Sequence, residues 1–136
     1  MARKTRRNKR HIKIDVDATR ILRSVGSEEA FHFYAGLGQP TEDRAVSLMD
    51  LLQKTKTVKL ESLAFHLRRK DFQNWLEKTV GDLELARKVG RIRVSETDRI
   101  REEIGVVIEN RVKELKHAST PETMPVDESL VVASVV

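Results

Sequence analysis

The sequence predicts an all-α, or mainly α, fold: a small domain of about five helices over residues 15–117. Three observations carry that expectation. Apolar residues recur at helical spacing from Ser62 to Val89, a stretch that holds the only tryptophan and two of the four phenylalanines. Start and stop signals punctuate the same stretch. A longer amphipathic run then occupies residues 95–117.

Leu60, Leu63, Ala64 and Leu67 lie at i, i+3, i+4 and i+7, one face of a helix. Asp71 stands where an N-cap belongs, ahead of Phe72, Trp75, Leu76 and Val80 on the next apolar face. Gly81 is placed for a left-handed C′ residue, and Asp82 for the cap of a third helix carrying Leu83, Leu85, Ala86 and Val89. Upstream, Asp17 either caps a helix with Ile21, Leu22 and Val25 or ends an extended piece in which Ile12, Ile14 and Val16 alternate with polar residues. Phe31, Phe33 and Tyr34 fit no helical stripe and leave a helical turn or a short strand open. Gly36, Gly38 and Pro40 form a loop, and Thr41 with Glu42 and Asp43 opens a helix whose face is Ala45, Leu48, Met49 and Leu52. Ser95 with Asp98 three residues on resembles a capping box for the helix of Ile100, Ile104, Ile108, Val112 and Leu115.

The segments FHFYAGLGQPT (31–41), SLAFH (62–66), RRKDFQNWL (68–76) and GDLELA (81–86) resemble, over about sixty residues, a small archaeal domain family of unknown function. Lys70 departs from its pattern, which has glycine before the Asp-Phe pair. The resemblance implies an archaeal, cytoplasmic protein with a mostly helical fold and brings no activity with it.

A length of 136 residues suits one domain with a modest core. The absence of cysteine excludes disulfides and thiolate metal sites and fits a reducing, cytoplasmic interior. No apolar run reaches the roughly 20 residues of a membrane span, and MARKTRRNKR lacks the apolar core of a secretory signal, so no membrane partner is expected. A charged fraction of 35% is compatible with a thermophile.

The net charge of +5 is concentrated at one end. Arg3, Lys4, Arg6, Arg7, Lys9, Arg10 and Lys13 give residues 1–14 seven positive charges before the first acid at Asp15. Residues 117–136 carry Glu122, Asp127 and Glu128 against no lysine or arginine, and two prolines, which predicts a flexible tail over 118–136. A segment as basic and apolar-poor as the arm cannot fold alone. Its chemistry is that of phosphate neutralisation with counterion release, the mode of arms that thread into structured RNA. The competing reading is a solvated, solubilising terminus or a basic patch drawn to anionic lipid, the latter disfavoured because the arm has no apolar anchor. Arg68, Arg69 and Lys70, at a helix junction, offer either a second phosphate contact or a complement to the preceding helix dipole.

No catalytic constellation is visible. His66 with Asp71 or Glu61 suggests acid–base work, but a lone helical histidine is more often packed or capping. His11, His32 and His117 are scattered, Ser62 has no activating partner, and Gly36-Leu37-Gly38 lacks the remainder of a phosphate loop. No metal or cofactor is expected. The expectation is a non-catalytic RNA-binding protein, associated with the ribosome. The alternatives are a protein adaptor or homo-oligomer using residues 95–117, with Val106 and Val107 widening its apolar face, and a helix-turn-helix regulator reading DNA through Gln73 and Asn74.

Overall fold

The computed structural model describes residues 17–118. The basic arm residues, Arg3 to Lys13, and the tail beyond Ala118 lie outside the described residues. Helix α1 covers 17–21 and a 3-10 turn covers Ser27–Glu29. The hairpin β1 (Phe31–Gly36) and β2 (Gln39–Ala45) follows, then α2 (Leu48–Thr55), α3 (Leu60–Arg69) and α4 (Asp71–Asn74). Helix α4 continues as a π-helical turn, Trp75–Val80, before α5 (Leu83–Gly90) and α6 (Asp98–Ala118).

The hairpin overturns the all-α expectation: the fold is α+β, mostly helical with one two-stranded antiparallel sheet. Its cause is a period of two in Phe31-His32-Phe33. Both phenylalanines are buried, against α3, while His32 points to solvent. Leu37 and Gly38 alone make the turn, with Gly38 supplying the positive φ of 70°. Gly36 and Pro40 belong to the strands. Pro40 is tolerated because a two-stranded sheet consists of edges.

Thr41 therefore caps no helix. Its hydroxyl donates to the Phe33 carbonyl at 2.8 Å and accepts from the Asp43 amide. The helix starts later, at Ser47, whose Oγ accepts from the Asp50 amide while Asp50 Oδ2 accepts from the Val46 amide, each at 3.0 Å. Ser47 is thus the N-cap, while the Asp50 carboxylate reaches one residue further back than in a capping box, to the amide that precedes the cap. Likewise α6 begins at Asp98 rather than Ser95, with Thr97 Oγ1 accepting from the Arg99 amide.

Between α3 and α4 there is one residue. Lys70 takes a left-handed conformation (φ 65°, ψ 27°) that glycine would adopt without strain. Asp71 then lies inside α4, and its carboxylate turns to His66 and Arg69 instead of capping. Gly81 is left-handed, as expected, and the Gly81 and Asp82 amides both donate to the Leu76 carbonyl. Arg23 donates to the Thr79 and Val80 carbonyls at the same helix end, where a cation complements the dipole. Asp82 caps α5 by accepting from the Leu85 amide. Ile100, Ile104, Ile108, Val112 and Leu115 are buried along α6 and close one core with Phe33, Leu48, Leu51, Leu63, Leu76 and Leu85.

Candidate nucleic-acid interface and an aromatic cavity

Arg68 and Arg69 are the last two residues of α3 and are half-exposed, with Lys70 exposed at the junction. Local acids partly neutralise them. Arg68 pairs with Glu96 at 3.0 Å. Arg69 Nε donates to Asp71 at 3.2 Å, and its guanidinium carbon lies 5.2 Å from the centre of the Phe65 ring. Lys70 has no partner among the described residues, so of this trio it is the one cation fully open to an external phosphate.

A larger basic surface lies outside the trio. The C-terminal end of α5, the loop to α6 and the first half of α6 enclose a groove of about 680 Å³. Ile92, Val94, Val106 and Val107 supply its apolar surface, and Lys88, Arg91, Arg93 and Arg99 its charge, against Glu102 and Glu103. Lys88 pairs with Glu84 and Arg99 with Glu103. Arg91 and Arg93 are exposed and have no acidic partner among the described residues. This surface was legible as the acid-free run Arg87 to Val94, which carries four cations, yet the fully basic N-terminal run outweighs it in the sequence.

Three of the four resemblance segments, 31–41, 62–66 and 68–76, meet elsewhere, around His66. The residue is 2% exposed, and its ring is surrounded edgewise by Phe31, Phe33, Tyr34 and Phe65. Nε2 accepts from the Tyr34 amide at 2.8 Å, so the hydrogen-bond network assigns the proton to Nδ1, which donates to Asp71 Oδ2 at 2.8 Å. The histidine thus joins strand β1 to the α3–α4 junction. With the Nε2 lone pair engaged, the ring is not free to take a proton from a substrate. Ser62 Oγ is buried with no hydrogen-bond partner among the described residues, so no base activates it. Among the described residues no group of three or more His, Asp or Glu could hold a metal ion. No described helix is long and apolar enough to cross a membrane.

Beside His66 opens a cavity of about 430 Å³, walled by Phe31, Tyr34, Phe65 and Trp75, with Asp71 and Arg69 as its charged groups. Burial pushes His66 below its ordinary 6.5, against the hydrogen bond and charge of Asp71, which pull it up, and with a smaller push from Arg69. A buried neutral histidine resists a proton that the unfolded chain accepts. The unfolded state then binds more protons as the pH falls, and stability declines below about pH 6.5. Urea midpoints should drop from pH 7 to pH 5, and His66→Gln should show a shallower drop. Parallel pH profiles for the two proteins would remove His66 as the titrating group.

No family model, curated protein or solved structure matches the chain.

Proposed function

We propose that this chain binds structured RNA as a non-catalytic, cytoplasmic, ribosome-associated protein, with the basic arm neutralising phosphates and the α5–α6 groove as the contact of the folded body. The observation that supports this reading most is the pair Arg91 and Arg93. They are exposed and unpaired among the described residues, at the edge of a groove whose other cations are Lys88 and Arg99. A structural role for an arginine ordinarily comes with a carboxylate or carbonyl partner, as Arg23, Arg101 and Arg111 have here. Unpaired guanidinium groups on residues two apart are suited to an external anion, and their fork matches phosphate.

The test is co-sedimentation with ribosomes and with free RNA over a salt series, for the full chain, for a chain lacking residues 2–13, and for Arg91→Glu/Arg93→Glu. Seven arm charges meeting single-stranded RNA give a log–log salt slope of about −5. Deleting the arm should flatten that slope and leave thermal stability nearly unchanged. The double reversal should weaken binding at every salt concentration by tenfold or more. Absence of association at moderate salt would overturn the reading.

Val106, 56% exposed in the same groove, favours one second reading, a protein partner or second copy seated on α6. In that case Val106→Asp abolishes association and the arm deletion does not. The helix-turn-helix alternative finds less support. The α3–α4 junction is one residue against the usual three or four, and Gln73 packs against Gly90 of α5.

A further inference from the structure

The cavity beside His66 has the chemistry of a base-binding pocket. Its walls are aromatic, and its volume lies within the range of small-molecule sites. Unstacked bases of single-stranded RNA are held by such surfaces, where each π-face finds an aromatic partner. The polar group that would choose among bases is Asp71. Its Oδ2 receives both His66 Nδ1–H and Arg69 Nε–H, while Oδ1 has no partner among the described residues. The carboxylate is about one-quarter exposed.

A carboxylate only accepts. Adenine and cytosine each set their amino group beside a ring nitrogen that also accepts, which a carboxylate repels. Uracil flanks its single N–H with two carbonyls. Guanine alone presents two neighbouring donors, N1–H and the N2 amino group, with no acceptor between them. Arg69 completes the arrangement: it is half-exposed, and its terminal nitrogens have no partner among the described residues, leaving them open to the phosphate of a bound nucleotide. A cationic ligand fits less well, because the Arg69 guanidinium already lies against Phe65.

We propose that this cavity holds a single unstacked guanine of the bound RNA, stacked among Tyr34, Phe65 and Trp75, read by Asp71 and held at its phosphate by Arg69. This rests on the RNA-binding reading and names the base that the folded body would select. It places sequence preference in the hairpin–α3 cavity and leaves the arm and the α5–α6 groove as contacts to the sugar-phosphate backbone.

Trp75 is the only tryptophan and lines the cavity, so its emission reports occupancy directly. The full chain is titrated with GMP, AMP, CMP and UMP, and with the pentaribonucleotides UUGUU and UUUUU. The expected result is a Trp75 emission change with GMP at concentrations at least tenfold below those needed for the other mononucleotides, and tighter binding of UUGUU than of GMP. Asp71→Asn should erase the guanine preference. Because Asp71 also orients His66, two further variants guard against a folding artefact. Tyr34→Ala should weaken GMP by tenfold or more, and Arg69→Gln should reduce the advantage of GMP over guanosine. No response to GMP at millimolar concentration, or equal affinity for all four nucleotides, overturns the proposal. Equal affinity for GMP and UUGUU overturns its RNA part and assigns the pocket to a free guanine nucleotide. Arm-dependent RNA binding that persists without any GMP response sinks this inference alone. A GMP response without RNA association sinks the RNA reading instead.

Discussion

Replacing Arg111 by methionine should cost about 3–5 kcal/mol of folding stability. Asp82 has a side chain only 1% exposed, and Arg111 grips it with two hydrogen bonds, Nε to Oδ2 at 2.7 Å and Nη2 to Oδ1 at 3.1 Å. The same carboxylate caps α5 through the Leu85 amide. Arg111 also reaches Glu84 and Glu114, at 3.3 Å and 3.0 Å, but both of those are largely exposed and contribute little. What the substitution leaves behind is a buried carboxylate with one amide donor and no countercharge, and desolvation makes that state expensive. A domain of this size is stable by roughly 5–15 kcal/mol, so the loss takes a large share. Denaturant unfolding of Arg111→Met followed by circular dichroism measures it. Asp82→Asn/Arg111→Met should recover most of the loss, since asparagine keeps the cap and removes the charge. A single variant within about 1 kcal/mol of the parent would mean that water reaches Asp82 and that the pair is ornamental.

Trp75→Ala should cost a similar amount, about 3–5 kcal/mol. The indole is 8% exposed, lies edge-on to Phe31 at 5.8 Å between ring centres, and donates Nε1–H to the Glu29 carbonyl at 2.7 Å. It therefore ties the start of the π-helical turn to the 3-10 turn ahead of β1, two segments 46 residues apart. Truncation removes aromatic packing and leaves a void beside Phe31. Trp75→Phe separates the two contributions: it keeps a ring against Phe31 and loses the hydrogen bond, so about 1–2 kcal/mol should disappear. If alanine and phenylalanine cost the same, the hydrogen bond carries the effect and ring packing adds little. Circular dichroism is the suitable readout, because the variants remove the fluorophore.

Much of the helical framework is legible in the sequence alone. The buried faces of α3, α5 and α6 follow the 3.6-residue period, except that Leu83, expected on the apolar face of α5, is exposed; the buried isoleucines of α6 are those that the spacing selects. Gly81 and Asp82 take the stop and start roles that their chemistry suggests. The hairpin is not legible there, for a definite reason. Its alternation spans only Phe31 to Phe33, too short to separate a strand from a helical turn. Its second strand, Gln39–Ala45, contains Pro40-Thr41-Glu42-Asp43, which locally imitates the start of a helix. Burial of Phe31 and Phe33 against α3 decides the matter, a long-range packing gain that outweighs local capping preference.

The candidate sites divide along the same line. Charge runs are properties of the chain, so the arm, the Arg68–Lys70 trio and the Arg87–Val94 run can be read directly, although the arm lies outside the described residues. Which cations are free depends on neighbours. Arg68 is paired by Glu96, 28 residues away, while Arg91 and Arg93 remain unpaired among the described residues. Periodicity and capping chemistry, acting within a few residues, determined where most helices run and which faces they bury. Tertiary packing alone decided that the Tyr34 amide, His66 and Asp71 form one hydrogen-bonded chain beside an aromatic cavity, because the Tyr34–His66 bond joins residues 32 apart and forms only when β1 lies against α3.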